Sequence, residues 1–365
     1  MKIFIRVDSS IEIGTGHVMR CLTLAEALRT KGANVSFICR KLQGNLISYI
    51  EGKDFLVYSL PPTKENNYKA DRKVKHSHFL GVSWETDAIQ TKIILQKETQ
   101  INWLIVDHYG IDKKWELEIR PNVKKLMIID DLADRTHDCD LLLDQNLYKN
   151  MGKRYNGLIP LHCLKLFGPQ YALLRQEFRK ARNHIKERDG NVKKIFIFFG
   201  GSDPTNETMK VLEAIKLLNR TDILFDVVVG ATNQNKDQIK QSCSKMPNVM
   251  FHCQIDYMAD LMKEADLAIG AGGSTTWERC YLGLPTITII TAENQIDVIS
   301  EASCANIVCH IGKSKDLQAT DISIEIECLL NKPDKIQKMA QSSMLVMGEK
   351  GERDRLLEFI IGGKK

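Results

Sequence analysis

Apolar residues fall along this chain in short unbroken runs, separated by segments with helical spacing. Ile3–Val7 is the first run. After a loop ending at Gly16, Val18, Cys21, Leu22, Leu24, Ala25 and Leu28 form one stripe, which predicts a helix over His17–Thr30. Val35–Cys39, Leu56–Ser59, Trp103–Asp107, Lys125–Ile129 and Leu141–Asp144 continue as strands. Runs apolar on both sides suit a parallel sheet covered on both faces. The polar stretch Pro61–His78 reads as a surface excursion. The rhythm weakens between Leu147 and Asn191, then restarts with strand Lys194–Phe199, a turn at Gly200–Pro204 and a helix over Thr205–Leu218. Strands Phe225–Val229, Val249–His252, Leu267–Ile269, Thr286–Ile290 and Asn306–His310 follow, and Gly351–Ile361 is a last helix.

The pattern predicts an α/β protein with two doubly wound, Rossmann-like domains facing a cleft. The expected divisions are residues 1–150 for the first domain and 151–191 for a connecting segment. Residues 192–348 form the second domain, and 349–365 a helix packing back on the first. A length of 365 residues accommodates two cores. The net charge of +5, spread along the chain, gives no basis for a nucleic-acid partner. No run approaches the roughly 18 apolar residues of a membrane span. Met1–Ile5 is broken at once by Arg6 and Asp8, so it is no export signal, and the expected location is cytoplasmic. Ten cysteines without a CxxC spacing read as reduced packing residues. No metal-binding pattern appears among the histidines, and neither metal nor cofactor is expected.

Two glycine-rich strand-to-helix turns carry the candidate chemistry. Gly14-Thr15-Gly16-His17 lets backbone approach a ligand at a helix start, with a plain tight turn as the alternative. It is not a dinucleotide fingerprint, since the third glycine position is Met19. His17 falls at the positive end of the helix dipole, which disfavours a cationic imidazole and suits a general base. The second turn, Gly270–Glu278, contains Gly272, Gly273, Ser274 and Thr275 as an anion cradle, with Glu278 in reach of a ribose diol. Asn294 follows the next strand at the same sheet edge. A third turn supplies Gly201 and Ser202, with Pro204 expected at the helix start and function and architecture evenly matched. Tyr109, after strand Trp103–Asp107, reads as a further site residue or part of a capping turn. Asp130-Asp131 and Asp144-Gln145-Asn146 read mainly as caps, and Gly312-Lys313-Ser314 fails as a P-loop because its earlier glycine position is Ile307.

Together these turns resemble the GT-B architecture of nucleotide-sugar enzymes. The second-domain turn with Asn294-Gln295 resembles the uridine-diphosphate site of the UDP-N-acetylglucosamine transferase of peptidoglycan synthesis. A more specific resemblance is to the UDP-2,4-diacetamido-2,4,6-trideoxy-β-L-altropyranose hydrolase family of pseudaminic acid biosynthesis. It rests on Ile5–Asp8, Gly14–Ala25, Val106–Tyr109, Ile129–Arg135 with Cys139-Asp140, Asp144–Asn146 and Gly168–Arg175, and runs from residue 3 to about residue 310. The resemblance implies metal-independent, inverting hydrolysis at the anomeric carbon, releasing UDP and the free sugar. It assigns the catalytic base to His17 and a sugar-side contact to Tyr109. The UDP contacts fall on Gly270–Glu278 and Asn294.

The same donor site could instead serve a glycosyltransferase, which passes the sugar to an acceptor hydroxyl. Residues Glu12 to Gly44 show no hydrophobic or basic membrane-facing patch, which favours water as the acceptor. A UDP-sugar 2-epimerase, or a catalytically silent protein that only binds a UDP-sugar, would also suit such a site.

Overall fold

The structure is a computed structural model that describes residues 1–62 and 74–362. It divides into two compact units. One comprises Met1–Asn146, Asn150–Leu173 and Glu349–Lys365; the other comprises Leu147–Lys149 and Leu174–Gly348. Most of the stretch read as a surface excursion lies outside the described residues.

The first unit is built on seven strands: β1 (Lys2–Val7), β2 (Asn34–Arg40), β3 (Leu56–Leu60), β4 (Trp103–Asp107), β5 (Lys125–Ile129), β6 (Leu141–Asp144) and β7 (Leu164–Phe167). They form one sheet in the order β3-β2-β1-β4-β5-β6-β7, every pair parallel. β1 alternates between two cores, with Ile3, Ile5 and Val7 on one face and Phe4 on the other. The helix Gly16–Thr30 covers the first face through Val18, Cys21, Leu22, Leu24, Ala25 and Leu28, the stripe legible in the sequence. The helix Lys350–Ile361 packs in the same unit. Its Leu356, Leu357 and Ile360 join that core, and the Trp103 indole donates to the Ile360 carbonyl at 3.0 Å.

The second unit has six strands: β8 (Lys194–Phe198), β9 (Leu224–Val229), β10 (Val249–Cys253), β11 (Leu267–Ala271), β12 (Thr286–Ile290) and β13 (Cys309–Lys313). They too form an all-parallel sheet, in the order β10-β9-β8-β11-β12-β13. In each sheet the winding reverses beside the first strand, between β1 and β4 and between β8 and β11. Such a reversal leaves a crevice at the carboxyl ends of the strands, where α/β folds take their ligands.

Several expectations are corrected. β7 was not read, because Leu164-Lys165-Leu166-Phe167 is short and interrupted by a charge. The last strand begins at Cys309 rather than Asn306, since Asn306 adopts a left-handed conformation with φ 56° after the preceding helix. The helix predicted from Thr205 starts at Glu207, so Pro204 is not at its start. Asp203 caps it instead, accepting from the Glu207 and Thr208 backbone N–H groups at 3.0 and 2.9 Å. Cys253, Cys304 and Cys328 are exposed, so not all ten cysteines are packing residues. Among the described residues no helix is long and apolar enough to cross a membrane.

Candidate active site

The Gly14–His17 loop begins with a reversal that only glycine makes cheaply. The Gly14 N–H donates to the Ser10 carbonyl at 2.9 Å, and Gly14 sits at φ +80°. Gly16 opens the helix, and a Cβ there would meet nothing within 4 Å, so its backbone is open to an approaching group. His17 follows in the first helical turn with 9% of its surface exposed.

The parallel register pairs Val7 with Asp107, which brings the loop after β1 against the end of β4. The His17 Nδ1 atom lies 2.6 Å from Asp107 Oδ1. Arg20, one helical turn on, donates through Nε to Asp107 Oδ2 and through Nη2 to Oδ1, both at 2.6 Å. Burial would raise the Asp107 pKa, but Arg20 foremost, then His17, hold it well below the usual carboxylate range. An ionised Asp107 only accepts, so Nδ1 carries a proton, and in the neutral ring Nε2 is the nitrogen with the lone pair. The 3.2 Å separation of Arg20 Nη2 from Nδ1 is then two donors meeting at one oxygen. The dipole argument from sequence omitted both this aspartate and Arg20.

Tyr109 stands edge-on to His17, with ring centroids 4.5 Å apart at 85°. Its hydroxyl donates to Asp131 Oδ1 at 2.6 Å, and burial with the Asp131 charge keeps it a phenol, far above its ordinary pKa. Asp131 Oδ2 also accepts from Arg20 Nη1 and from Asn146 Nδ2, each at 3.2 Å. Asp144, at the end of β6, is pushed up to about 8 by burial, with Asp131 adding to the shift. Beneath the loop, Arg6 bridges Asp8 and Asp87, and Arg40 shares Asp87 at 2.6 Å, forming a fully buried ion network. His108 lies 3.3 Å from Asp8 and accepts the Gly110 N–H on Nδ1; burial keeps it neutral, so its proton is on Nε2.

In the second unit the candidate turn follows β11. A Cβ on Gly270 would lie 2.5 Å from the Phe198 carbonyl and 2.7 Å from Arg279 Nη1, and one on Gly272 would lie 2.4 Å from Ile299. These two glycines are needed for packing. Gly273 is open, with nothing within 4 Å of its Cβ position, and Ser274 beside it is exposed. Thr275 begins the short helix Thr275–Tyr281. Arg279 is buried and, among the described residues, forms no ion pair with a carboxylate; it donates to the Ala271 carbonyl at 2.8 Å and Thr276 Oγ1 at 3.1 Å, and burial lowers it to about 10. Glu278 is held by Arg175, whose Nε and Nη2 reach its two oxygens at 2.8 and 3.1 Å. Asn294 is exposed in the turn Glu293–Gln295 after β12, and Gln295 Oε1 from that turn abuts Gly272 at 3.3 Å from the Cβ position. Gly201 and Ser202 follow β8, with Thr232 Oγ1 donating to the Gly201 carbonyl at 3.3 Å and Ser202 exposed. Among the described residues no group of three or more His, Cys, Asp or Glu side chains could hold a metal ion.

Residues 195–354 match the glycosyltransferase family 28 C-terminal domain. The chain is 31% identical over 301 residues to an uncharacterized protein of Methanocaldococcus jannaschii, covering 81% of this chain but only 57% of that one. It is 29% identical over 297 residues to the UDP-2,4-diacetamido-2,4,6-trideoxy-β-L-altropyranose hydrolase of Campylobacter jejuni, covering 81% of this chain and 93% of the enzyme. The crystal structure of MurG from Acinetobacter baumannii matches over 99% of both chains with a TM-score of 0.63 at 13% identity, a likeness of fold alone. The chain has the GT-B fold.

The motif resemblance to the altropyranose hydrolase family is borne out by the match to the Campylobacter enzyme. For this GT-B fold, sequence reasoning singled out the histidine and the glycine turns but not the groups paired with them. Arg20 was signalled by its place three residues after His17, on the same helix face. Asp107 reads from sequence only as the end of a strand within the motif Val106–Tyr109, because nothing local reveals that β4 lies beside β1. Arg175, more than 100 residues from Glu278, left no local signal of its pairing.

Proposed function

We propose that this protein of GT-B fold hydrolyses a UDP-linked 2,4-diacetamido-2,4,6-trideoxyhexose with inversion and without a metal ion, in pseudaminic acid biosynthesis. The observation that carries the reading is the His17–Asp107 pair, with Nδ1 tied to a buried carboxylate at 2.6 Å and Nε2 left as the basic nitrogen. A water oxygen attacks the anomeric carbon while Nε2 takes its proton. The bond from that carbon to the diphosphate oxygen breaks, and UDP leaves with the electron pair. Asp107 stabilises the imidazolium as it forms, and Tyr109 sets the ring's angle. Gly272, Gly273, Ser274 and Thr275 are the proposed diphosphate contacts, Glu278 and Asn294 those of the nucleoside. Gly14 and Gly16 in the first unit, and Gly201 and Ser202 in the second, are further proposed substrate contacts.

Mass spectrometry and early-time proton NMR on a panel of UDP-diacetamido-trideoxyhexoses test the proposal. The expected result is UDP plus the inverted anomer of the free sugar with no acceptor present. His17→Asn is expected to abolish turnover while keeping UDP binding; a turnover number within a few-fold of the parent refutes the assignment of the base. The family 28 domain match favours a second reading, sugar transfer to an acceptor hydroxyl. That reading gains if UDP appears only when an acceptor is supplied.

A further inference from the structure

The base proposed above has an ionised carboxylate 2.6 Å from Nδ1, and an opposite charge that close favours the protonated form of a ring. Arg20 stands against that. Its Nε and Nη2 take both oxygens of Asp107, and its Nη1 reaches past them to Asp131 at 3.2 Å. Asp131 in turn receives the hydroxyl of Tyr109, the ring set edge-on to His17. One guanidinium thus joins the carboxylate behind the imidazole to the carboxylate that orients its aromatic neighbour.

We infer that Arg20 is a positioning residue for His17, which divides its charge between Asp107 and Asp131 and so limits how strongly Asp107 holds a proton on the ring. The inference rests on His17 being the base, but its physical content is independent of the substrate. The groups facing the ring are Asp107 from the end of β4, Arg20 from its own helix, and Tyr109 from the loop after β4. Behind them stand Asp131 after β5, Cys21 with its thiol 3.5 Å from Asp107 Oδ2, and His76 against the Tyr109 ring at 5.6 Å. Arg20 is the cation within 4 Å of Asp107 among the described residues. Both Arg20 and Asp107 are buried, so solvent screens their interaction little.

The test is an NMR titration of the His17 ring carbon and proton in the full chain, which needs no substrate. Arg20→Met removes the opposing charge, and the midpoint is expected to rise by about one unit or more. Arg20→Lys restores a cation and is expected to bring it back most of the way. Asp131→Asn leaves the helix and the Tyr109 acceptor in place and releases Arg20 toward Asp107; its midpoint is expected to fall. An unchanged midpoint in Arg20→Met or Asp131→Asn, with the native amide spectrum retained, overturns the inference. Should Arg20→Met not fold, Asp131→Asn decides it. The acid limb of kcat/KM is expected to move with the titration. If the titrations shift as stated but no UDP-sugar is cleaved, the functional proposal fails and the role of Arg20 stands.

Discussion

Replacing Asp107 by asparagine tests the candidate site at its narrowest point. Both oxygens are fully used: Oδ1 accepts from His17 Nδ1 and Arg20 Nη2, and Oδ2 from Arg20 Nε, all at 2.6 Å. An amide nitrogen must take one of these places. In the Oδ1 position it faces two donors and pushes the imidazole proton from Nδ1 to Nε2, which removes the basic nitrogen from the reacting side. In the Oδ2 position it faces Arg20 Nε and leaves that buried donor unmet. Arg20 loses a buried ionic partner in either case, at a cost of about 3 kcal/mol, softened by the contact it keeps with Asp131. Proton transfer to a positioned base contributes roughly 10²–10⁴-fold, so at about 1.4 kcal/mol per decade the barrier rises by about 3–6 kcal/mol. A coupled assay of UDP release is therefore expected to show kcat reduced by about two to four orders of magnitude, with KM changed much less. Circular dichroism and UDP calorimetry establish that the variant is folded and still binds nucleotide. A folded variant with kcat within tenfold of the parent would refute the dyad.

Two further outcomes follow from the geometry. Asp144 binds a proton up to about pH 8 when folded against an ordinary value of 3.8, so between those limits the folded state holds the extra proton. Its contribution to stability is whole below the lower value and is lost as pH rises through the upper one. Asp144→Asn is expected to gain on the parent by at most about 1.4 kcal/mol per pH unit across that window in urea denaturation, and a pH-independent difference contradicts it. Gly270→Ala would set a Cβ 2.5 Å from the Phe198 carbonyl and is expected to cost about 1–3 kcal/mol, while Gly273→Ala meets nothing within 4 Å. The latter is expected to leave the melting temperature in place and weaken UDP binding; equal losses of stability in the two variants would mean that the turn is not built as described.

What could be read from sequence divides along a physical line. Strands buried on both faces announce themselves as apolar runs, and the helix stripe from Val18 to Leu28 needs only local periodicity, so the two parallel sheets were legible. The glycine turns were legible for the same reason, since a residue such as Gly14 at φ +80° carries its requirement in its own identity. The partners were not, because they depend on strand order: β1 and β4 are neighbours in space and some 95 residues apart in the chain. Asp107 therefore looked like the end of a strand, and Arg20 like one of many helix arginines. The winding reverses at this same pair of strands, which gives the site its location and its chemistry together. The reversal opens the crevice between the ends of β1 and β4, and the register at Val7 and Asp107 delivers a carboxylate to the edge of the histidine loop. A histidine placed after β2 would meet β3 and β1 inside a continuous layer, with no opening for a ligand. The place of the proposed base is thus fixed by topology first and by residue type second.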